Sequence, residues 1–449
     1  MAARASLSYN DYTVGWICAL PLEMAAAKLM LDATHPSLPR PPTDQNTYIL
    51  GHIGDHNIVI ACLPSGAYGT VSAATVAMQL LSSFHSIRFG LMVGIGGGVP
   101  SSNADIRLGD IVVSQPADTS GGVIQYDLGK ALSGGRFQRI GMLNRPPKVL
   151  LTALATLQAH HITEDSQVLK FISDAQNKMT SRTATTNFKR PTKEDLLYQT
   201  DYDHGASNTC VNCDRSKLTL RPPRHYEEPV VHYGLIASAN QVVKNGTQRD
   251  QLARDLGVLC VEMEAAGLMN DFPCVVIRGI CDYADSHKNE EWQGYAAAVA
   301  AAYAKELVLL VPIDQIEITP TARDIHVDPR LVLDLHESAT KKRNMNDDDS
   351  EGSILCSDIS ARKKPRLHFS RSSDPEESDS TDYDGNSIFD ESNQENTHNI
   401  FEPPDASQGT ENYASVSERP TAGDITSEND SSDWYESSPL EGLCSKNNT

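Results

Sequence analysis

The stretch FGLMVGIGGGVP at residues 89–100 decides how the rest of the chain is read. Residues 89–95 form an apolar run of strand length that ends in Gly96-Gly97-Gly98, a turn where a ligand can approach bare backbone. Similar runs lie on either side. Residues 13–20 (TVGWICAL) read as a strand, and Pro21 opens a helix over 22–31, where proline is tolerated. Residues 48–54 and 57–63 read as a hairpin about Gly54-Asp55, and 70–84 as a helix rich in small residues. Further strands are expected at 110–114, 232–238, 258–261 and 274–280, with helices at 263–270 and 291–311. Nearly continuous apolar strands that alternate with helices predict an α/β fold: a single three-layer domain whose central mixed β-sheet is flanked by helices.

Charge divides the chain. Residues 345–449 hold 24 of the 59 acidic and 7 of the 38 basic residues, a net of −17, which leaves −4 for residues 1–344. The expected organisation is one domain over 1–313, with an insertion at about 161–228, a linker at 314–344 and a disordered acidic tail at 345–449. The insertion is polar, contains Arg190-Pro191 and Arg221-Pro222-Pro223-Arg224, and is expected to be partly loop. The acidic balance argues against nucleic acid as a partner, because phosphate contacts need clustered Lys and Arg. The most apolar stretch, 295–312, is interrupted by Lys305 and Glu306, so no membrane partner is expected. No secretory signal is visible, and nine scattered cysteines do not make a disulfide framework. Those features predict a cytoplasmic protein. The clusters Lys341-Lys342-Arg343 and Arg362-Lys363-Lys364-Pro365-Arg366 make the nucleus the alternative.

In α/β folds, ligands bind beyond the carboxyl ends of the strands. Four such ends carry residues able to do chemistry: Glu23 after the first strand, Gly96 and Gly97, the run Val261-Glu262-Met263-Glu264, and Asp282 in RGICDYAD (278–285). Taken singly, a Glu near a helix start is usually a dipole partner and an Asp after a strand a helix cap. Glu264 beside Glu262 in an apolar run is harder to set aside, since a buried carboxylate needs a partner. The spacing Cys210-Val211-Asn212-Cys213, with His204 and His225 nearby, contains a single CxxC and reads as a pair of thiols in an ordered loop. Neither metal nor cofactor is expected.

In this order and spacing, the segments 13–23, 65–74, 93–100, 108–114, 234–243, 261–267 and 278–285 resemble the nucleoside phosphorylase/nucleosidase superfamily. The superfamily includes methylthioadenosine/adenosylhomocysteine nucleosidases and purine and uridine phosphorylases; DIRLGDIVVS and the RPP insertion resemble its fungal branch. The resemblance implies cleavage of an N-glycosidic bond. It assigns Asp282 as general acid to the leaving base and Glu23 as activator of water. It also implies that Glu264 holds the ribose hydroxyls, that Met263 packs on the sugar, and that Val242 stands near the base-stacking position. Cys281 stands where nucleosidases usually carry Ser, which leaves the support of Asp282 open.

Phosphorylases place arginines on the first strand–helix turn and before the Gly-rich turn; here those places hold Glu23 and Leu91-Met92-Val93. Arg107 is the one basic residue expected to compensate, if its loop folds over the glycines. The expected activity is therefore hydrolysis of purine, above all adenine, nucleosides or nucleotides. The alternatives are a phosphate-dependent phosphorylase, an ATP or AMP nucleosidase, or a non-catalytic nucleoside sensor. Lys130, Lys244 and Arg224 are further candidates for a 5′ phosphate. The expected partners are a small nucleoside and a second copy of the chain, since the superfamily self-associates.

Overall fold

In the computed structural model, the described residues are 7–39, 41–179, 187–205, 209–224, 226 and 228–324. The expected linker beyond 324, the acidic tail with its basic clusters, and His225 lie outside them.

The chain enters through β1 (Val14–Cys18), every residue of which is buried, and turns at Pro21 into α1 (Pro21–Met30). Edge strand β2 (Ala33–Thr34) and the hairpin β3 (Tyr48–Ile53) and β4 (His56–Cys62) follow, then α2 (Thr70–Ser83). Strand β5 (Phe89–Gly98) is the centre of the fold. Next come β6 (Ile111–Ser114), β7 (Val123–Gln125) and a small separate hairpin, β8 (Gly129–Ala131) with β9 (Phe137–Arg139). Helices α3 (Lys148–Thr163) and α4 (Val168–Lys178) precede β10 (Val231–Ser238), α5 (Gly246–Leu256) and β11 (Val258–Glu262). The domain closes with β12 (Cys274–Asp282), α6 (Gln293–Leu309) and the short α7 (Ile313–Ile318).

One ten-stranded sheet runs in the order β11-β10-β6-β12-β5-β1-β4-β3-β2, with β7 added beside β10. It is mixed: β1 is parallel to β4 and β5, and β5 to β12, while β12 is antiparallel to β6. Strand β11 also meets β5 antiparallel, Val261 opposite Gly97, so the sheet folds back on itself at the glycine-rich end of β5. Helix α6 is alanine-rich and buried nearly all round, as a helix laid directly on a sheet must be, and it packs on β5 and β12. The expected α/β class and mixed sheet are found. Among the described residues no helix is long and apolar enough to cross a membrane.

Two local expectations are corrected. Gly96–Gly98 form the last residues of a strand rather than a turn, because β12 and β11 both hydrogen-bond to them. The helix expected at 263–270 shrinks to a single 3₁₀ turn, Ala265–Gly267. There Gly267 is pressed on the Thr70 carbonyl, where a Cβ would come within 2.0 Å. Part of the insertion packs on the core: α4 contributes Val168, Ile172 and Ala175, and Glu306 of α6 accepts bonds from Ser166 Oγ and Gln167 N.

Candidate active site

The site is assembled at the carboxyl ends of β1, β5, β11 and β12. Glu23 is the third residue of α1, and its placement follows from helix capping. Oε2 accepts the backbone N–H groups of Ala19 (2.7 Å) and Leu20 (2.9 Å), reaching back over Pro21, which has no N–H to offer. Oε1 accepts from Ile95 N at 2.8 Å, which pins the carboxylate against β5. Burial raises the Glu23 pKa, while the Arg278 charge and the three backbone donors pull it back.

Arg278 was not singled out from the sequence. It is fully buried on β12, its guanidinium bonded to Glu262, with Nη2 3.5 Å from Glu264 Oε2 and Nη1 3.5 Å from the Ile95 carbonyl. Its Nη1 and Glu23 Oε1 share the space above Gly94: a Cβ there would lie 2.5 Å from the first and 2.3 Å from the second. Glycine is therefore required at 94 by close approach. The signal was present in Val275-Val276-Ile277-Arg278-Gly279-Ile280, since a charge in a fully buried strand needs partners. Arg278 also corrects the expectation that no cation in the matching segments stands near Glu23.

Glu262 orders the next turn, accepting from the N–H groups of Glu264 (3.1 Å) and Ala265 (3.0 Å). This presents Glu264, whose Oε1 takes a long bond from Gly69 N at 3.4 Å. Burial pushes the Glu264 carboxyl up to about 7; the Glu262 and Glu23 charges add to the rise and Arg278 opposes it. Met263, on the same turn, is half-buried.

Asp282 follows an irregularity in β12 that sets it opposite Gly97. A Cβ at Gly97 would stand 2.9 Å from Asp282 Oδ1. Oδ1 accepts from Ala284 N at 2.9 Å, and Oδ2 faces Lys288 Nζ at 2.7 Å and Cys281 Sγ at 3.1 Å. Burial favours the neutral acid, but Lys288 and these hydrogen bonds outweigh it and hold Asp282 below its ordinary pKa. The Cys281 thiol thus faces Asp282 Oδ2 as a donor. Lys288 was not anticipated either; it follows Asp282 by six residues, and no sequence pattern marked it.

The structure therefore gathers Glu23, Glu264, Gly96, Gly97 and Asp282 around the end of β5. Two expected residues have other surroundings than the resemblance implies. Ile106 packs against Gly98, but the Arg107 guanidinium bonds Asp105 at 2.8 Å and the Pro222 carbonyl, which ties it to the insertion. Val242 lies in the segment after β10 and is 51% exposed, a weak platform for a base.

The phosphorylase superfamily model matches residues 13–311, and the chain belongs to that superfamily. A nucleotide-binding leucine-rich repeat-like protein of Hyaloscypha variabilis is 49% identical over 309 residues, which are 69% of this chain and 30% of that protein. The chain thus spans under a third of that relative. A 5′-methylthioadenosine/S-adenosylhomocysteine nucleosidase of Mycobacterium bovis is 26% identical over 67% of this chain and 97% of its own length. An ATP nucleosidase, Cap17, of Escherichia coli is 24% identical over 64% of this chain and 48% of its own. Among solved structures, the Helicobacter pylori methylthioadenosine/adenosylhomocysteine nucleosidase aligns at 15% identity and a TM-score of 0.43, over 67% of this chain and 98% of that one.

Proposed function

We propose that the protein is a purine nucleosidase that hydrolyses the N-glycosidic bond of adenine nucleosides. The observation that carries this is the state of the cations. Arg278 is bonded to Glu262 and lies against Glu264, Lys288 is bonded to Asp282, and Arg107 is bonded to Asp105. Each already faces a carboxylate, so none is offered to a phosphate dianion. A phosphate beside Glu23 would meet repulsion of several kcal/mol, at about 4 Å and an effective dielectric near 20. Water meets none.

The roles follow from the chemistry of each group. A purine leaves as a neutral base only if it gains a proton; Asp282 is ionised beside Lys288, so the proton sits on Lys288 Nζ, 2.7 Å from Oδ2, and reaches the base through Asp282. Glu264, with one oxygen held only by a long bond from Gly69, accepts the ribose hydroxyls. Glu23 has its pKa raised by burial, which suits a carboxylate that takes a proton from attacking water. Three groups fixed by backbone bonds place acid, sugar and base without further ordering, which is where positional catalysis lies.

The 5′ side favours a nucleoside over a nucleotide. Arg224 is committed to Asp110, Arg107 to Asp105, and Lys130 is exposed on the β8–β9 hairpin. The similarity to an ATP nucleosidase makes ATP the competing substrate. Purified protein would be incubated with adenosine, inosine, methylthioadenosine, AMP and ATP, with and without phosphate, and base and sugar products separated by chromatography. Free ribose and no acceleration by phosphate are expected. Ribose 1-phosphate forming only with phosphate would replace hydrolysis by phosphorolysis. Release of adenine from ATP alone would move the substrate to the nucleotide.

A further inference from the structure

We propose that His204, Cys210 and Cys213 of the insertion, together with His287 of the active-site loop, form a zinc site. The sequence alone favoured a simple pair of thiols. The fold adds what the spacing lacked.

Three ligand atoms, one from each of His204, Cys210 and Cys213, lie within 4.8 Å of one another. Cys210–Asn212 is a 3₁₀ turn closed by Cys213 N on the Cys210 carbonyl at 3.1 Å, which brings both thiols to one side; neither is in a disulfide. His204 Nδ1 is 2.8 Å from the Gly205 carbonyl, a bond that fixes the tautomer and leaves Nε2 for a metal. Tetrahedral bonds of about 2.0–2.3 Å need ligand atoms roughly 3.3–3.8 Å apart, a contraction of about 1 Å from what is seen.

His287 is the independent observation. It is 8% exposed, and neither ring nitrogen has a hydrogen-bond partner. Its ring lies flat on Tyr198, centroids 4.1 Å apart, and 5.2 Å from the ring of His204. Nδ1 faces Asp285 Oδ1 at 3.7 Å, which leaves Nε2 as the donor. A buried imidazole with both nitrogens unpaired is costly, and a metal bond removes that cost. Two thiolates and two imidazoles are a zinc donor set. Binding releases two thiol protons and gives a site in which the two thiolate charges balance the dication.

The consequence is mechanical. His287 precedes Lys288, the partner of Asp282, so the metal would strap the insertion to the loop that carries the acid. A second strap already exists: His204 N donates to Ser286 Oγ at 2.9 Å, and Ser286 Oγ bonds Asp203 Oδ1 at 3.1 Å. The site does not depend on whether water or phosphate is the nucleophile.

The test is metal content, read apart from activity. The full chain, purified without chelator, should carry about one zinc per chain by plasma mass spectrometry, released when a mercurial blocks its thiols. Cobalt should replace it with the absorption of a tetrahedral thiolate site. Cys210→Ser should remove the metal while circular dichroism stays native. His287→Ala should weaken zinc retention against a chelator by at least tenfold; unchanged retention would overturn the fourth-ligand assignment. Native protein that neither contains nor takes up zinc, with Cys210 and Cys213 recovered as a disulfide, would overturn the site altogether.

Discussion

Arg278 Nη2 lies 3.5 Å from Glu264 Oε2 while its guanidinium is bonded to Glu262, so one buried cation serves two carboxylates and stands beside a third, Glu23. Removing it would leave uncompensated charge in the sheet. Arg278→Met should cost about 3–5 kcal/mol, the range for breaking a buried pair by losing one partner. Urea unfolding measures this. Arg278→Lys keeps the charge but not the forked geometry, and should fall between the two. A loss below about 1 kcal/mol for the methionine variant, typical of exposed pairs, would mean that the cluster is solvated.

The Glu264 carboxyl, pushed up to about 7, gives a pH dependence with a definite sign. Ribose hydroxyls donate hydrogen bonds, so they bind the ionised carboxylate. Below this pKa the group holds a proton that substrate must displace; above it the acceptor is ready. KM should therefore fall as pH rises through about 7 and then level off, while Glu264→Gln should remove the step. A KM that is flat between roughly pH 6 and 8 in the native protein would dissociate Glu264 from sugar binding.

Glycines at the end of β5 should separate positioning from folding. An alanine at 97 would bring its Cβ to 2.9 Å from Asp282 Oδ1 and 3.0 Å from Ala284 Cβ, so Asp282 must shift. A displacement of about 1 Å near the chemistry typically costs about 10²-fold, and Gly97→Ala should lose that much kcat with the fold retained. Gly94→Ala should be worse, because its Cβ falls 2.3 Å from Glu23 Oε1 and 2.5 Å from Arg278 Nη1. Steady-state kinetics and thermal melts on both variants make the comparison. Equal, near-native kcat values would show that the strand end yields.

What the sequence disclosed and what it hid have the same physical origin. Strands β1, β4, β5 and β12 announce themselves because burial on both faces leaves no room for polar residues. Of the carboxylates, Glu264 stands out by itself, beside Glu262 in an apolar run, whereas Glu23 and Asp282 read singly as a dipole partner and a helix cap and are picked out by the resemblance. Arg278 interrupts an apolar run too, but it stands inside the strand rather than at its carboxyl end, where ligands are sought. Lys288 carried no pattern, since its partnership with Asp282 depends on how the loop 283–287 folds. Arg107 was expected at the site because neighbouring segments matched. The insertion, which has no counterpart in those motifs, claims it through the Pro222 carbonyl. Helix α4 was hidden because only Val168, Ile172 and Ala175 mark its buried face in a polar segment.

The acid role of Asp282 can be tested by changing the leaving group rather than only the residue. Its carboxylate has Oδ1 on Ala284 N and Oδ2 on Lys288 Nζ, so Asp282→Asn keeps the size and removes the charge that Lys288 faces. General acid catalysis contributes roughly 10²–10⁴-fold, so adenosine cleavage should fall by at least about 10². A nitrophenyl riboside is different, because its leaving group departs as a stable anion without a proton. If Asp282 supplies that proton, the variant should lose less than about tenfold on the nitrophenyl substrate while losing the full factor on adenosine. If Asp282 only orders the loop through Lys288, both substrates should fall together, because misplaced sugar or water slows either cleavage. The ratio of the two losses, measured on one preparation, separates proton donation from scaffolding. A ratio near one would remove Asp282 from the chemistry and leave Glu23 and Glu264 as the residues that act on substrate.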